Sequence, residues 1–380
     1  MQKSLADLKL LTEQAGMEQE ESDAAVIAEP RCQLPDVFRA QKSGGGEARL
    51  LKTMLSSACE RNCNYCAFRS GRNFHRATVT PDDLANLFFQ MHSAGLLDGL
   101  FLSSGMIGGG IKTQDKIIAA AEILRKKFHY SGYIHLKLMP GSEFEQVRRT
   151  MQLANRVSIN LEGPNAERLA QLAPKKQFDY ELMTGIKMAH HVIASADPRS
   201  SGRFAWPSLA TQLVVGPAGE NDVELLSTSA RLFQQYGLRR VYYSRFNPVI
   251  DTPLENAAPE SPTRQLRLYQ ASFLLRDYHF QMEDFLYLPN GNLPLDKDPK
   301  TAWAEHNLAE RPLEINTAEE VQLLQVPGIG PKGARSILNA RGKNPIKNTG
   351  DLRRLGINPD RALPYIQMNG NRAPRQLRLW

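Results

Sequence analysis

Strand-like apolar runs alternate with amphipathic helical runs through the middle of this 380-residue chain. The six strand predictions are RLLKTMLSS, DGLFLSSG, GYIHLKLM, RVSINLEG, ATQLVVGP and RRVYYSRFNP. Helical patterns lie between them, and several begin with a good capping residue, such as Thr80 before Pro81. Six strands that alternate with helices predict an α/β fold with a parallel sheet, closed or partly closed into a barrel.

Two of these strands carry polar side chains on one face and apolar side chains on the other. Successive side chains of a strand point to opposite faces, and the apolar face is expected to meet the helices. A packed barrel fills its interior mainly with Val, Ile and Leu, so a polar interior predicts a ligand cavity. The polar faces hold Tyr133, His135 and Lys137 in one strand and Ser158, Asn160 and Glu162 in the other. We expect His135 and Lys137 to line the substrate cavity.

Pattern and composition predict one large domain with smaller additions. The predicted segments are an acidic N-terminal extension (1–47), the barrel (48–250), a Pro-rich extension that packs on the barrel and links onward (251–316), a basic helical module (317–366) and a basic tail (367–380).

The charge of the chain is unevenly distributed around a net value of +7. Residues 1–30 hold seven acidic and two basic side chains, whereas residues 321–380 hold eleven basic and two acidic ones. A basic C-terminal module predicts a polyanionic partner, although a solvated basic surface has the same charge. No apolar run is long enough to cross a bilayer, and the start of the chain does not resemble a signal peptide. We expect a cytoplasmic protein.

Three of the four cysteines, Cys59, Cys63 and Cys66, follow the first predicted strand in ACERNCNYCAF. Their C-x3-C-x2-C spacing can bind three irons of a 4Fe–4S cluster and leave the fourth open, whereas ordinary electron carriers use four cysteines. An open iron can be chelated by the amino and carboxylate groups of S-adenosylmethionine (SAM). Cys32 lies 27 residues upstream and does not extend the pattern. The alternatives are three unrelated thiols or a zinc site, although zinc sites usually pair two short Cys/His elements.

The cysteine spacing, with Tyr65 just before the third cysteine, resembles the radical SAM superfamily. This resemblance implies a partial (β/α)6 barrel and an enzyme that cleaves SAM reductively to a 5′-deoxyadenosyl radical. The cofactors would carry out the radical chemistry, while the barrel would position and shield them. An electron donor such as flavodoxin or ferredoxin is implied as a partner.

The same resemblance implies contacts to SAM beyond Tyr65. Ser104 and Gly105, after the second strand, replace the commoner Gly-Gly-Glu and are expected to offer backbone contacts. The ribose would be bound by Ser158, Asn160 and Glu162, and the adenine would be supported by the turn VVGPAGEND with Gly216. For each residue the alternative is turn chemistry or a satisfied interior polar group, because short motifs are weak evidence alone.

The segment LLQVPGIGPKGARSIL (323–338) has a helix-hairpin-helix pattern. Gly328, Ile329 and Gly330 would form a tight turn that offers N–H groups to a DNA phosphate, beside Lys332 and Arg335. Such contacts position a protein on DNA without reading its sequence. GIGPKGA (328–334) aligns with GINPDRA (356–362), so a degenerate second copy is predicted. The alternative is a structural hairpin that binds only protein.

Barrel and hairpins together resemble one radical SAM family, that of DNA modification or repair proteins often encoded beside a uracil-DNA-glycosylase-like protein. The matching segments are LSSACERNCNYCAF, GLFLSSGMIG, GYIHLKLMPG, RVSINLEGPN, RRVYYSRFNPV and VPGIGPKGARSIL. The resemblance implies an enzyme that acts on DNA, with the glycosylase-like protein as a further partner. Two alternatives stay open: a radical enzyme that modifies RNA, and a non-catalytic DNA-binding scaffold with a structural cluster.

The chain ends in NRAPRQLRLW, which we expect to be an extended tail. Gln376, Leu377, Leu379 and Trp380 resemble the Gln-Leu-x-Leu-Phe peptide by which bacterial repair and replication proteins bind the sliding clamp. Such a peptide anchors apolar side chains in a groove, with the aromatic as the strongest anchor. The alternative is that the tail docks on the protein's own surface.

Overall fold

The computed structural model describes residues 2–16, 37–41, 46–195, 197, 199 and 205–372. The chain forms two compact units. The first contains residues up to 220 together with 231–260, and the second contains 221–230 together with the residues from 261 onward. None of the helices in these described ranges is long and apolar enough to cross a membrane.

The first unit is built on a seven-stranded sheet that curls into a half-barrel. Its strands, which are neighbours in chain order, are β1 (Phe38–Gln41), β2 (Glu47–Met54), β3 (Gly99–Ser103), β4 (Tyr133–Lys137), β5 (Arg156–Glu162), β6 (Ser208–Val215) and β7 (Arg240–Arg245). Strands β2 to β7 run parallel, which confirms the six predicted strands. The antiparallel edge strand β1 was not predicted, because it lies in the segment that composition marks as an acidic extension.

The helices around this half-barrel connect its parallel strands, except for the first helix, which precedes β1. They are α1 (Gln2–Ala15), α2 (Pro81–Ser93), α3 (Gly109–Glu122), α4 (Phe144–Leu153), α5 (Ala166–Leu172), α6 (Thr184–Ser195) and α7 (Asp222–Tyr236), whose first residues belong to the second unit. The predicted cap of α2 is present, since the Thr80 side chain accepts a hydrogen bond from the Asp83 N–H. Apolar strand residues such as Leu100 and Ile134 are fully buried, as the amphipathic pattern requires.

The polar strand face is buried, as the alternation predicted. His135 and Lys137 on β4 are 2% and 7% exposed. The imidazole of His135 stacks on Phe101 at a centroid distance of 4.2 Å, and its Nε2 lies 2.8 Å from the Ser158 hydroxyl. Buried polar groups are tolerated where they are hydrogen-bonded, and His135 and Ser158 meet this condition by bonding each other.

The second unit is mostly helical. Its further elements are α8 (Pro262–Asp277), α9 (Pro299–Leu308), α10 (Glu320–Gln325), α11 (Pro331–Arg341), α12 (Thr349–Arg354) and α13 (Pro359–Ala362), with short strands β8 (Leu313–Glu314), β9 (Ile366–Met368) and β10 (Asn371–Arg372). The three strands form one small sheet in the order β10–β9–β8. The predicted all-α module (317–366) is helical apart from Ile366, and the strands that flank it were not predicted, because strands of two or three residues are too short to give an alternating sequence pattern.

Two helix pairs, α10 with α11 and α12 with α13, pack against each other and share one core. Gly328 connects the first pair with φ +84°, and a Cβ there would lie 3.1 Å from the Arg361 Cβ. A Cβ on Gly333 would lie 3.2 Å from Ile357 Cγ1. Glycine is therefore required at Gly328 by its backbone conformation as well as by the close approach of the second pair.

Lys300 on α9 lies beside the turn that connects the first helix pair. Its Nζ donates to the Ile329 carbonyl at 2.6 Å and lies 4.6 Å from the Tyr278 ring centroid. Burial, followed by the charge of Arg361, lowers the pKa of Lys300 to about 7, although Asp298 opposes this change. The folded protein therefore binds a proton at Lys300 less tightly than the unfolded chain does.

We expect the free energy of unfolding to depend on pH through Lys300. Between pH of about 7 and 10.5 the unfolded chain keeps the Lys300 proton and the folded chain loses it, so this residue makes stability rise with pH. Urea unfolding midpoints at about pH 7 and about pH 9 should rise less in Lys300→Met than in the unsubstituted protein. Lys343→Met, at an exposed position, is the control. An equal rise in Lys300→Met and the unsubstituted protein would contradict the lowered pKa.

Candidate active site

The three clustered cysteines lie on the loop between β2 and α2, at the carboxyl end of the parallel strands. Cys63 is buried, whereas Cys59 and Cys66 are partly exposed. All three line one cavity of the first unit. Burial raises the pKa of the Cys63 thiol, and the charge of Lys176 opposes this rise. The sequence prediction that these thiols share one site agrees with this geometry.

The Arg76 guanidinium holds both ends of the cysteine loop. It donates to the carbonyl oxygens of Ser57 at 3.0 Å, Phe68 at 3.1 Å and Arg69 at 2.8 Å. Arg72 adds a bond from its Nη1 to the Ala67 carbonyl at 3.0 Å. Sequence reasoning missed these arginines, although four arginines without an acidic residue in 61–76 were a visible signal.

The turn after β3 lies directly against the cysteine loop. The Gly105 N–H donates to the Ser56 carbonyl at 2.7 Å, and the Glu60 N–H donates to the Met106 carbonyl at 2.8 Å. A Cβ on Gly105 would collide with the Ala58 carbonyl, so only glycine fits there. Gly105 therefore presents only backbone atoms at the cavity wall.

Glu162 lies where the sheet register shifts at the end of β5. Its φ of +63° is in the left-handed region, and strained backbone of this kind is frequent at functional sites. The carboxylate is 2% exposed and binds Lys176 Nζ at 2.7 Å. Its Oε2 is buried without a hydrogen-bond partner, so this oxygen can accept a bond from a ligand.

Lys176 and Tyr65 complete the polar group around Glu162. Burial alone would lower the pKa of Lys176, but the neighbouring Cys63 and Glu162 raise it, so the ammonium stays charged. Burial, and then the Glu162 carboxylate, raise the pKa of Tyr65, so its phenol stays neutral. Lys176 follows Glu162 by only 14 residues, yet no periodic pattern in the sequence placed it beside the carboxylate.

The cavity gathers most of the residues that the sequence predicted for it. Those that line it are Cys59, Cys63, Cys66, Tyr65, Ser104, Gly105, Lys137, Asn160 and Glu162. Arg61, Gln212 and Ser244 line it as well and were missed. His135, Ser158 and Gly216 were predicted for this site but do not line it. His135 and Ser158 bond each other instead, and the Gly216 N–H donates to the Glu220 carboxylate.

The donor set of the cavity fits a 4Fe–4S cluster. Across the part of the chain that the structure describes, no three His, Cys, Asp or Glu side chains are arranged to hold one metal ion. A 4Fe–4S cluster does not need its ligands to converge on one ion, because each thiolate binds a separate iron. Three cysteines on one loop, beside the backbone cradle at Gly105 and the buried Glu162 oxygen, suit a cluster and its chelated ligand.

The predicted nucleic-acid contacts of the second unit fall on one turn and one helix. Gly328, Ile329 and Gly330 connect α10 to α11, and exposed Lys332 and Arg335 lie near the start of α11. The Ile329 side chain is 1% exposed, so this residue can offer only backbone atoms to a ligand. The predicted clamp-binding residues Gln376, Leu377, Leu379 and Trp380, as well as Cys32, lie outside the described residues.

Comparison with solved structures finds similar folds at low sequence identity. The chain is similar to the FeFe-hydrogenase maturase HydG from Carboxydothermus hydrogenoformans (15% identity, 60% of this chain, 51% of that chain, TM-score 0.45). It is similar to methylornithine synthase (16% identity, 60% of this chain, 61% of that chain, TM-score 0.46). It is also similar to a radical SAM methyltransferase from Sphaerobacter thermophilus (14% identity, 64% of this chain, 76% of that chain, TM-score 0.44). The chain thus spans between half and two thirds of the length of the first two.

Comparison with family models gives a match over the barrel. Residues 53–197, which include the cysteine loop, β3, β4 and β5, match the model of the Radical SAM superfamily. No curated protein matches the chain. The superfamily implies a 4Fe–4S cluster and SAM as cofactors, in agreement with the cavity. Residues 53–197 therefore carry the sequence features of the Radical SAM superfamily.

Proposed function

We propose that this radical SAM enzyme acts on DNA and modifies or repairs a base. The observation that carries the proposal is a basic pair of helical hairpins in the same chain as the cysteine-lined cavity. Lys332 and Arg335 are exposed at the start of α11, where N–H groups of the first turn have no intrahelical partner. This arrangement suits a phosphate of the nucleic-acid backbone.

The cavity provides what radical chemistry needs from the protein. When bound, the cluster and SAM supply a 5′-deoxyadenosyl radical through reductive cleavage, with the electron coming from a donor such as flavodoxin or ferredoxin. Cys59, Cys63 and Cys66 would hold the cluster. Asn160 and the free oxygen of Glu162 would bind the SAM ribose, and Gly105 would offer its backbone.

Lys137 is a charged side chain of the cavity that would meet substrate. It lines the cavity, and its Nζ lies 5.8 Å from the Phe101 ring centroid. His135 lies on the same strand as Lys137. Burial, followed by the charges of Arg156 and Lys137, lowers the pKa of His135 and keeps its imidazole neutral. A neutral, stacked His135 fixes the strand face without competing for an anionic substrate.

The basic module would grip the duplex while a base enters the cavity. The two helix pairs would act as a paired helix-hairpin-helix, in which two turns contact two phosphates. A base inside a duplex must be flipped out to reach an enclosed cavity, which costs a few kcal/mol. Damaged, mismatched or single-stranded sites should therefore be preferred. Further partners within this proposal are a uracil-DNA-glycosylase-like protein and the sliding clamp.

We expect reconstituted protein to bind about four irons per chain through the cysteine loop. Cys63→Ser should abolish iron uptake, because the buried thiol is one of three protein ligands, whereas Cys32→Ser should leave iron content unchanged. Iron and sulfide analysis after anaerobic reconstitution measures both. Stoichiometric zinc without iron uptake would rule out the cluster.

Asn160→Leu should weaken SAM binding at least tenfold, because a cavity side chain loses its polar contact to the cofactor. Ser158→Ala is the matched control, since Ser158 lies on the same strand face but bonds His135 instead of lining the cavity. Calorimetric titration of cluster-loaded protein with SAM measures both affinities. Equal affinities in Asn160→Leu, Ser158→Ala and the unsubstituted protein would remove Asn160 from the cofactor site.

The variant Lys332→Ala/Arg335→Ala should bind DNA more weakly and with a flatter salt dependence. Each lost phosphate contact should reduce the log–log slope by about 0.9. Lys343→Ala/Lys347→Ala removes the same charge from exposed positions beyond the other end of α11. If both double variants show the same slope, the turn at Gly328 is not the phosphate site. Stronger competition by RNA than by DNA would instead favour an RNA substrate.

A further inference from the structure

The connection from α5 to α6 is hydrogen-bonded to the cysteine loop on both sides of Cys63. Asn64, which follows Cys63, donates from its N–H to the Leu172 carbonyl at 2.7 Å. Asn62, which precedes Cys63, accepts the Lys175 N–H on its Oδ1 at 3.2 Å. The end of α5 and the residues directly after it are therefore fixed against the cysteine loop.

Lys176 is the next residue of this connection, and it lines the same cavity as the three cysteines. Its side chain is 12% exposed, and its Nζ lies 2.7 Å from the Glu162 Oε1. Burial lowers the pKa of Lys176, whereas the charge of Cys63, followed by that of Glu162, raises it. The ammonium is therefore held close to both a predicted cluster ligand and a buried carboxylate.

Arg61 is a second cation of the same cavity, but its charge is engaged differently. Its guanidinium binds the Glu181 carboxylate at 2.7 Å and donates to the Lys175 carbonyl. Burial raises the pKa of the Cys63 thiol, and Lys176 opposes this rise more strongly than Arg61 does. Lys176 is therefore the stronger of these two positive charges at Cys63.

Charge beside an iron–sulfur cluster changes how readily the cluster is reduced. Reduction adds one electron, and so one negative charge, and a nearby cation stabilises the more negative form. The effect is stronger for a buried cation, because the effective dielectric constant is lower there than in water. A carboxylate at the same place has the opposite effect. Lys176 and Glu162 therefore have opposing influences on the reduction of a cluster bound by the three cysteines.

We propose that the Lys176 ammonium raises the reduction potential of the cluster, and that the Glu162 carboxylate, which holds this ammonium in place, moderates the rise. Lys176 forms and breaks no covalent bond in this step. A donor such as flavodoxin or ferredoxin is oxidised by one electron, and the cluster is reduced by one. The inference rests on the proposed cluster site and is independent of the proposed DNA substrate.

The test uses anaerobically reconstituted, cluster-loaded protein without SAM, and the midpoint potential is measured by reductive titration followed with electron paramagnetic resonance. Lys176→Met should make reduction about tenfold less favourable, which lowers the potential by about 59 mV. Lys176→Arg keeps the charge and should retain the potential of the unsubstituted protein. Glu162→Gln removes the opposing charge and should raise the potential.

Lys175→Met is the matched control, because it removes the same charge from the adjacent, exposed side chain and should leave the potential unchanged. Equal potentials in Lys176→Met, Lys175→Met and the unsubstituted protein would overturn the inference. Weaker SAM binding by Lys176→Met at an unchanged potential would overturn it in favour of a direct contact with SAM. A lowered potential in both Lys176→Met and Glu162→Gln would overturn it in favour of disturbed packing around the cluster.

If Lys176→Met takes up no cluster, the Glu162→Gln variant decides the matter. A raised potential in Glu162→Gln would support the inference, and an unchanged or lowered one would overturn it. No iron uptake by the unsubstituted protein would overturn the proposed cluster site itself, and this inference with it. A normal cluster with the expected potentials but no DNA binding would support the inference and contradict only the proposed substrate.

Discussion

The hydrogen bonds from Arg76 to main-chain carbonyl oxygens are the constraint on which the site depends. The residues between β2 and α2 form a long connection, and a loop of this length loses much conformational entropy when it is ordered. One guanidinium joins Ser57, before the cysteines, to Phe68 and Arg69, after them. The positions of Cys59, Cys63 and Cys66 at the cavity follow from that closure. Arg76 donates from two nitrogens to four carbonyl oxygens, whereas a lysine has only three donors, all on one nitrogen, and lacks the planar fork of arginine.

The second requirement of the site is a buried polar interior whose groups satisfy one another. Burying a charged or polar group is costly unless it is paired or hydrogen-bonded. Glu162 binds Lys176, and His135 binds Ser158 and stacks on Phe101. The Glu162 Oε2 atom is an exception, because it is buried without a hydrogen-bond partner, and a ligand in the cavity can donate a hydrogen bond to it. Such an interior favours a polar ligand bound in one orientation over apolar molecules bound non-specifically.

Much of this architecture could be predicted from the sequence, because it depends on local pattern. Alternation predicted β2 to β7, and cysteine spacing predicted that three thiols share one site, and all three line one cavity. Other features depend on tertiary contacts that no local pattern encodes. Arg76 acts through backbone carbonyls, which every residue has, and Lys176 meets Glu162 only because the chain turns back after α5. The same limit applies to Ser158. Alternation correctly placed it on the polar face of β5, but could not show that it bonds His135 instead of lining the cavity.

We propose that a radical formed in the cavity abstracts hydrogen from DNA. The most direct measurement is deuterium transfer from uniformly deuterated DNA into 5′-deoxyadenosine during anaerobic turnover by the reduced holoenzyme. We expect deuterium in the 5′-deoxyadenosine formed with deuterated DNA and none in that formed with deuterated RNA of the same sequence. Unlabelled 5′-deoxyadenosine from deuterated DNA, or label from RNA alone, would contradict it.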